Sequence, residues 1–326
     1  MIGGLVEASL LLARGLKSYV FGSRHCGPSG IQSARYSYTV WMRHLVNAAR
    51  FGLGAPRVVA ELGPGGSLGV GLCALLSGAE QYCALDLVRH TETDSNVDVV
   101  QELVDLLRQR APIPSEFPGV RPLLDDYSFP SHILNDERLA ASLKPERVDA
   151  IRNSLVTGGG VVRFFAPWNR IEAPEKGTVD LVVSQAVLEH VDDLVGVYAA
   201  VWEWLAPDGG MSNQIDFSSH DMTRAWNGHW AYGDPIWSLI RGRLPYLLNR
   251  KPYGYHLEQM SNAGFRVLCD ERQKKAGGID RRRLASQFRA ITDADLCTCG
   301  AYVLAIKSDG SVRGPSPRPQ EDEPEA

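Results

Sequence analysis

The stretch VVAELGPGGSLGVG, residues 58–71, constrains the fold of this chain more than any other. A run of β-forming residues ends in an acid, Glu61, and passes into Gly63, Gly65, Gly66 and Gly69, crowded around Pro64. A buried strand, a turn with almost no side chains and an apolar helix make one unit. Its loop lets a ligand approach bare backbone. Repeated strand–helix units build a mostly parallel sheet with helices on both faces.

The rest of the chain continues that alternation. Strands are predicted at 57–62, 82–87, 161–167, 178–185, 212–217, 266–273 and 300–307, and helices at 33–52, 70–77, 194–206 and 253–265. One interval breaks the rhythm. Residues 89–160 separate the second and third strands, where one helix and two short loops usually suffice. This insertion carries helical patterns near 97–110 and 145–156 around the proline-rich APIPSEFPGVRP. It leaves the carboxyl end of a strand, where ligands of open α/β sheets bind. It therefore reads either as a lid or part of the substrate pocket, or as a packing appendage.

The division is then a helical cap over 1–52, a main domain over 53–307 and a tail over 308–326. Glu7 and Arg14 interrupt the apolar N-terminal run, which is too short for the roughly 20 residues a membrane span needs and lacks the basic start of a secretory signal. It is expected to be an amphipathic helix packed on the body. The tail, rich in proline and acid, is expected to be disordered.

Composition excludes some partners. With 34 basic and 38 acidic residues the chain has a formal net charge of -4, so nothing draws it as a whole to nucleic acid or an anionic membrane. The run Arg281-Arg282-Arg283 reads as a solvated helix face. The six cysteines, at 26, 73, 83, 269, 297 and 299, form no disulfide framework, and reduced thiols in a cytoplasm are the simpler account. Cys297 and Cys299 form a CxC pair, but zinc wants four ligands and no second pair exists.

The glycine loop narrows the ligand. A phosphate loop needs Lys-Ser/Thr after its glycines, and Gly69-Val70-Gly71 stands there instead. A dinucleotide loop needs GxGxxG; counted from Gly63 the third position is Leu68, and Gly69 comes one late. Glu61, two residues before the first glycine, suits a cation better than a pyrophosphate.

ELGPGG resembles motif I (E/D-x-G-x-G) of the class I S-adenosylmethionine-dependent methyltransferases, whose ligand carries an ammonium and a sulfonium and no phosphate. VDLVVSQAVLEHVDD (179–193) is similar to the family's fourth-strand segment, and LAPDGG (205–210) to the turn before its fifth strand. The resemblance covers about residues 50–217 apart from the insertion. It implies a Rossmann-like α/β fold with a mostly parallel seven-stranded sheet, and S-adenosyl-L-methionine as cofactor. It carries the cofactor-binding role to Glu61, Gly63, Gly65, Gly66, Asp86, Leu87, Trp168, Ser184, Gln185 and His190, with Asp86 on the ribose hydroxyls. Two positions depart from the pattern. Ser67 replaces the third loop glycine, and Ala166-Pro167-Trp168-Asn169 stand where an acid often meets adenine, which leaves Trp168 or Asn169 for that contact.

Methyl transfer to oxygen or nitrogen needs a base near the methyl, and histidine suits this best. IDFSSHDMTRAWNGHWAYGDPIW (215–237) supplies His220 as first candidate and His229 as second, with Asp216 or Asp221 to orient it. Trp226, Trp230, Tyr232 and Trp237 suit a sugar or another ring substrate, or else an aromatic structural lid. No metal is required, although Asp192, Asp193, Asp216 and His220 include the ligand types for one. A looser resemblance to bacterial methyltransferases associated with surface-glycan biosynthesis suggests a small-molecule or glycan hydroxyl. The expected protein is a cytoplasmic S-adenosylmethionine-dependent methyltransferase with a His base, and nothing excludes a homodimer. An NAD-dependent oxidoreductase or epimerase and a silent scaffold are the alternatives.

Overall fold

The computed structural model describes residues 2–21, 33–89, 93–168, 174–244 and 247–308. The expected disordered tail past Ser308, the adenine candidate Asn169 and Cys26 lie outside them. Two helices come first, α1 (Ile2–Phe21) and α2 (Ala34–Arg50), then β1 (Val58–Leu62), α3 (Gly69–Leu76) and β2 (Gln81–Leu85). The insertion holds α4 (Thr93–Arg108), α5 (Asp136–Ser142) and α6 (Pro145–Thr157). Then follow β3 (Val162–Phe165), β4 (Val179–Gln185), α7 (Leu194–Trp204), β5 (Leu205–Asp216), α8 (Asp234–Arg241), α9 (Tyr253–Asn262), β6 (Phe265–Lys274), α10 (Asp293–Cys297) and β7 (Thr298–Lys307).

The seven strands form one sheet in the order β3-β2-β1-β4-β5-β7-β6. The four pairs among β1–β5 are parallel; β7 runs antiparallel to both β5 and β6, so the sheet is mixed rather than parallel throughout. A dinucleotide-binding sheet ordered 3-2-1-4-5-6 has no such hairpin at its edge. The chain reverses direction of travel between β1 and β4, and that switch point is where a ligand crevice opens in sheets of this kind.

Alternation along the strands splits the core in two. Val59, Tyr82, Ala84, Leu181 and Val183 face α2, α3 and the insertion helices. Ala60, Leu62, Cys83, Leu85 and Val182 face α7 and α9. In α7 the buried residues Leu194, Val197, Tyr198, Val201 and Trp204 recur at helical spacing, giving one apolar stripe to the sheet. The LAPDGG segment, expected as a turn, is already the start of β5. Leu205 pairs with Val179, and regular pairing resumes from Gly210 opposite Leu181, so the intervening residues bulge.

The described part of the insertion packs on the body of the fold. Val100, Leu103 and Leu107 of α4 and Ile151 and Leu155 of α6 join the core on the α3 side, and none of its described residues lines the cleft described below. Its proline-rich stretch is held by Arg43, buried in α2, whose guanidinium donates to the carbonyls of Val120 at 2.5 Å and Pro114 at 3.0 Å. The cap behaves as expected in part: Leu11 of α1 packs with Trp237, Ile240, Leu247 and Leu248. The Arg281–Arg283 run is solvated as expected, with Arg282 and Arg283 exposed, but forms a single 3-10 turn rather than the face of a longer helix. Arg281 ties that turn to Asp293 and to the carbonyls of Arg289 and Ile291.

Cys73, Cys83, Cys269, Cys297 and Cys299 are free thiols. No helix among the described residues is long and apolar enough to cross a membrane.

Candidate functional site

A cleft partly open to solvent lies at the carboxyl ends of β1, β2 and β4. Apolar side chains make most of its wall: Leu62, Leu85, Leu87, Trp168, Val187 and Val191. Gly63 supplies bare backbone, and Asp86 and His190 are the polar groups. A mostly apolar cleft with a few placed polar groups is the usual form of a small-ligand site.

The glycine turn is built for close approach. Gly63 has φ +63°, and a Cβ there would sit 2.6 Å from Val187 Cγ1. Gly65 has φ +64°, and its N–H donates to Asp86 Oδ2 at 3.3 Å. Asp86 also accepts from the N–H of Leu87 at 2.7 Å, so one carboxylate at the end of β2 organises the turn after β1. Trp168 stands opposite, its N–H on the Asp86 carbonyl at 3.1 Å and its ring edge-on to Trp204. Leu87 is 43% exposed, which makes it an apolar ledge at the mouth.

Other expected cofactor residues sit elsewhere. Glu61 does not line the cleft, because the strand alternation that points Leu62 into it turns Glu61 to the other face. Its carboxylate accepts from the Tyr82 hydroxyl at 2.5 Å, and burial pushes its pKa up to about 7 despite that bond. Glu61 is thus a buried acid hydrogen-bonded inside the protein. Gly66 is buried within the turn and Ser184 beneath the sheet end, and neither lines the cleft. Gln185 points to α2: its Oε1 lies 3.2 Å from His44 Nε2, and its Nε2 donates to Gln214 Oε1 at 2.5 Å.

At the mouth, two segments converge. Glu189 and His190 form a 3-10 turn after β4. After β5, His220 and Asp221 adopt left-handed backbone at φ +47° and +57°, a conformation that costs non-glycine residues energy and turns the chain sharply. His220 Nε2 thereby comes 3.2 Å from Asp216 Oδ2, and its ring lies 5.1 Å from that of His190. Asp216, not Asp221, is the acid beside it. Burial works against the Asp216 carboxylate, but hydrogen bonds from His220 and Ser218 win and hold its pKa below the usual range. Burial holds Glu189 well above it, reinforced by the nearby Asp216 charge.

His229 is not in this group. It is buried against Trp230, and burial together with Arg250 pushes its pKa down to about 3, too low for a base near neutral pH. The aromatic segment around it is core. Trp226 and Trp230 pack with Ile279 and Leu284, and Trp237 packs under α1. Arg250 pins them, stacked 4.6 Å from Trp237 and donating to the Tyr232 carbonyl and Asp234. Two of the acids weighed as metal ligands are committed elsewhere: Asp192 takes a bidentate pair from Arg241, and Asp193 caps α7 through the Gly196 N–H. Sequence reasoning missed Val187 and Val191 as wall residues and gave Glu189 no part in the site. The VLEHV segment (187–191) was the available signal for all three.

No family model and no curated protein matches this chain. Solved structures do resemble it. A phosphoethanolamine N-methyltransferase 2 of Haemonchus contortus, in complex with S-adenosyl-L-methionine, is 13% identical with a TM-score of 0.43 over 91% of this chain and 57% of its own. This chain therefore spans little more than half of that enzyme's length. An S-adenosylmethionine-dependent methyltransferase of Mesorhizobium loti is 14% identical, TM-score 0.38, over 78% of this chain and 92% of its own. One of Methanosarcina mazei is 12% identical, TM-score 0.41, over 77% and 92%.

Proposed function

We propose that this chain is an S-adenosylmethionine-dependent methyltransferase acting on a hydroxyl of a small-molecule or glycan acceptor. The observation that carries it is the cleft at the switch point. An apolar slot between Leu87 and Trp168 suits an adenine ring, and Asp86 beside it suits the ribose hydroxyls. The bare backbone at Gly63 suits the amino-acid end. Loss of Glu61 from the ligand's surroundings does not remove that fit, since backbone carries the contact.

The sulfonium methyl is already activated. The enzyme has to align acceptor oxygen, methyl carbon and sulfur with reacting atoms about 3–3.5 Å apart. The oxygen lone pair forms the new O–C bond. The C–S bond breaks with its electron pair returning to sulfur, which leaves S-adenosylhomocysteine. The hydroxyl proton needs a receiver at the mouth. His220 is that group: Asp216 at 3.2 Å holds its Nε2 and supports the imidazolium that forms when Nδ1 takes the proton.

The test is calorimetric titration with S-adenosylmethionine, S-adenosylhomocysteine and NAD. The two sulfur nucleotides are expected to bind and NAD not. Asp86→Ala should weaken both by more than about tenfold, the loss of one charge-assisted hydrogen-bond pair. His220→Ala should bind the donor normally but lose methyl transfer to any acceptor found by mass spectrometry. Binding of NAD, or no nucleotide binding, sinks the proposal.

A further inference from the structure

Glu189 is the least satisfied side chain of the site. It is 3% exposed, and neither carboxylate oxygen makes a well-aligned hydrogen bond, the backbone N–H groups of Glu189 and Asp216 being the donors near it. A carboxylate buried without a partner is costly and calls for a proton or a cation. Its Oε1 lies 3.9 Å from His220 Nε2, the same nitrogen that Asp216 Oδ2 approaches at 3.2 Å. One ligating atom from each of Glu189, His190 and His220 lies within 4.8 Å of the other two. Two carboxylates thus crowd one imidazole nitrogen, with a second imidazole alongside. One proton on that nitrogen serves one of these acids well; an ion among them serves every group.

We propose that Glu189, His190 and His220 bind a zinc-class divalent ion at the mouth of the cleft, with Asp216 beside it. The donor set decides the class. Two imidazoles and a carboxylate suit zinc and its first-row neighbours, whereas magnesium and calcium prefer oxygen alone. Bonds of about 2.0–2.2 Å put tetrahedral ligand atoms roughly 3.3–3.6 Å apart, so the cluster has to tighten by about 1 Å. His220, whose side chain is 33% exposed, can swing by that much. Three protein ligands leave a coordination position open, as in catalytic rather than structural zinc sites.

The site exists independently of methyl transfer; only its consequence rests on that proposal. An acceptor hydroxyl that joins the ion is acidified by it. In the loaded protein His220 would then be a ligand and not the base, and the acidified hydroxyl would lose its proton to solvent.

The experiment uses full-length, tag-free protein stripped with a chelator, titrated with Zn²⁺ by calorimetry and with Co²⁺ by visible absorption. One ion per chain is expected, with the absorption of a four- or five-coordinate cobalt centre. Affinity should fall by more than about tenfold in Glu189→Gln and in His220→Ala, and stay unchanged in Cys297→Ser. No binding, or binding that survives His220→Ala, overturns the site. Should Glu189→Gln fail to fold, His220→Ala on its exposed loop still decides. Donor titration of the same samples separates the two proposals. Donor binding without zinc removes the ion alone, and zinc binding without donor removes the methyltransferase.

Discussion

Gly63 and Glu61, two residues apart, show how differently one motif's members serve. At φ +63° Gly63 holds the turn, and any side chain would meet Val187. Gly63→Ala should cost about 1–3 kcal/mol of stability from left-handed strain, and weaken donor binding as the cleft wall shifts; urea unfolding and calorimetry would show both. Glu61 is a titration site inside the core. Its folded pKa, about 7, lies above the ordinary carboxylate value. The native state therefore binds the proton more tightly than the unfolded one. Its contribution is fully present below the unfolded pKa and is lost as pH rises through about 7. Glu61→Gln keeps the shape without the charge, so it should flatten the fall in stability between pH 5 and about 8 seen in wild type. Equal pH slopes of the urea midpoint in the two proteins would refute this.

Among elements, the insertion and the loop after β5 carry the lesson. Strand and helix identities were legible because period-2 and period-3.6 patterns are local. Nothing local shows that residues 111–127 cross α2, or that Arg43 holds them by two backbone carbonyls. Arg43→Met leaves those carbonyls without their charged donor. It should destabilise the fold by about 2–3 kcal/mol. Hydrogen exchange should speed up in 111–127 and stay unchanged at the glycine turn. Exchange that rises equally at both would show that the insertion shapes the cleft after all. The loop after β5 was expected to hold the base, and the structure does bring His220 to Asp216. His229, nine residues on, is buried instead, because Trp226, Trp230 and Trp237 fold inward as small cores.

For the whole molecule, the cleft lies where the two halves of the sheet diverge, so a ligand there bridges β1, β2 and β4. A donor that binds only the folded chain, present at about a hundred times its Kd, should stabilise it by about 2.7 kcal/mol. The melting temperature should rise accordingly in wild type and much less in Asp86→Ala. An equal rise in both would place the donor elsewhere.

The sequence alone determined the order of the seven strands and of the longer helices, though not the short α5, α8 and α10, together with the glycine turn and the acid after β2. Each depends on residues near one another in the chain, through backbone sterics and the periodicity of burial. Only the tertiary structure decided that Glu61 turns away from the cleft and that β7 enters antiparallel. It alone decided, too, that His229 is buried while Glu189, His190 and His220 meet. Those outcomes depend on which face of a strand a neighbour covers and on where separate loops end in space. Packing sets both, and no window of sequence contains it.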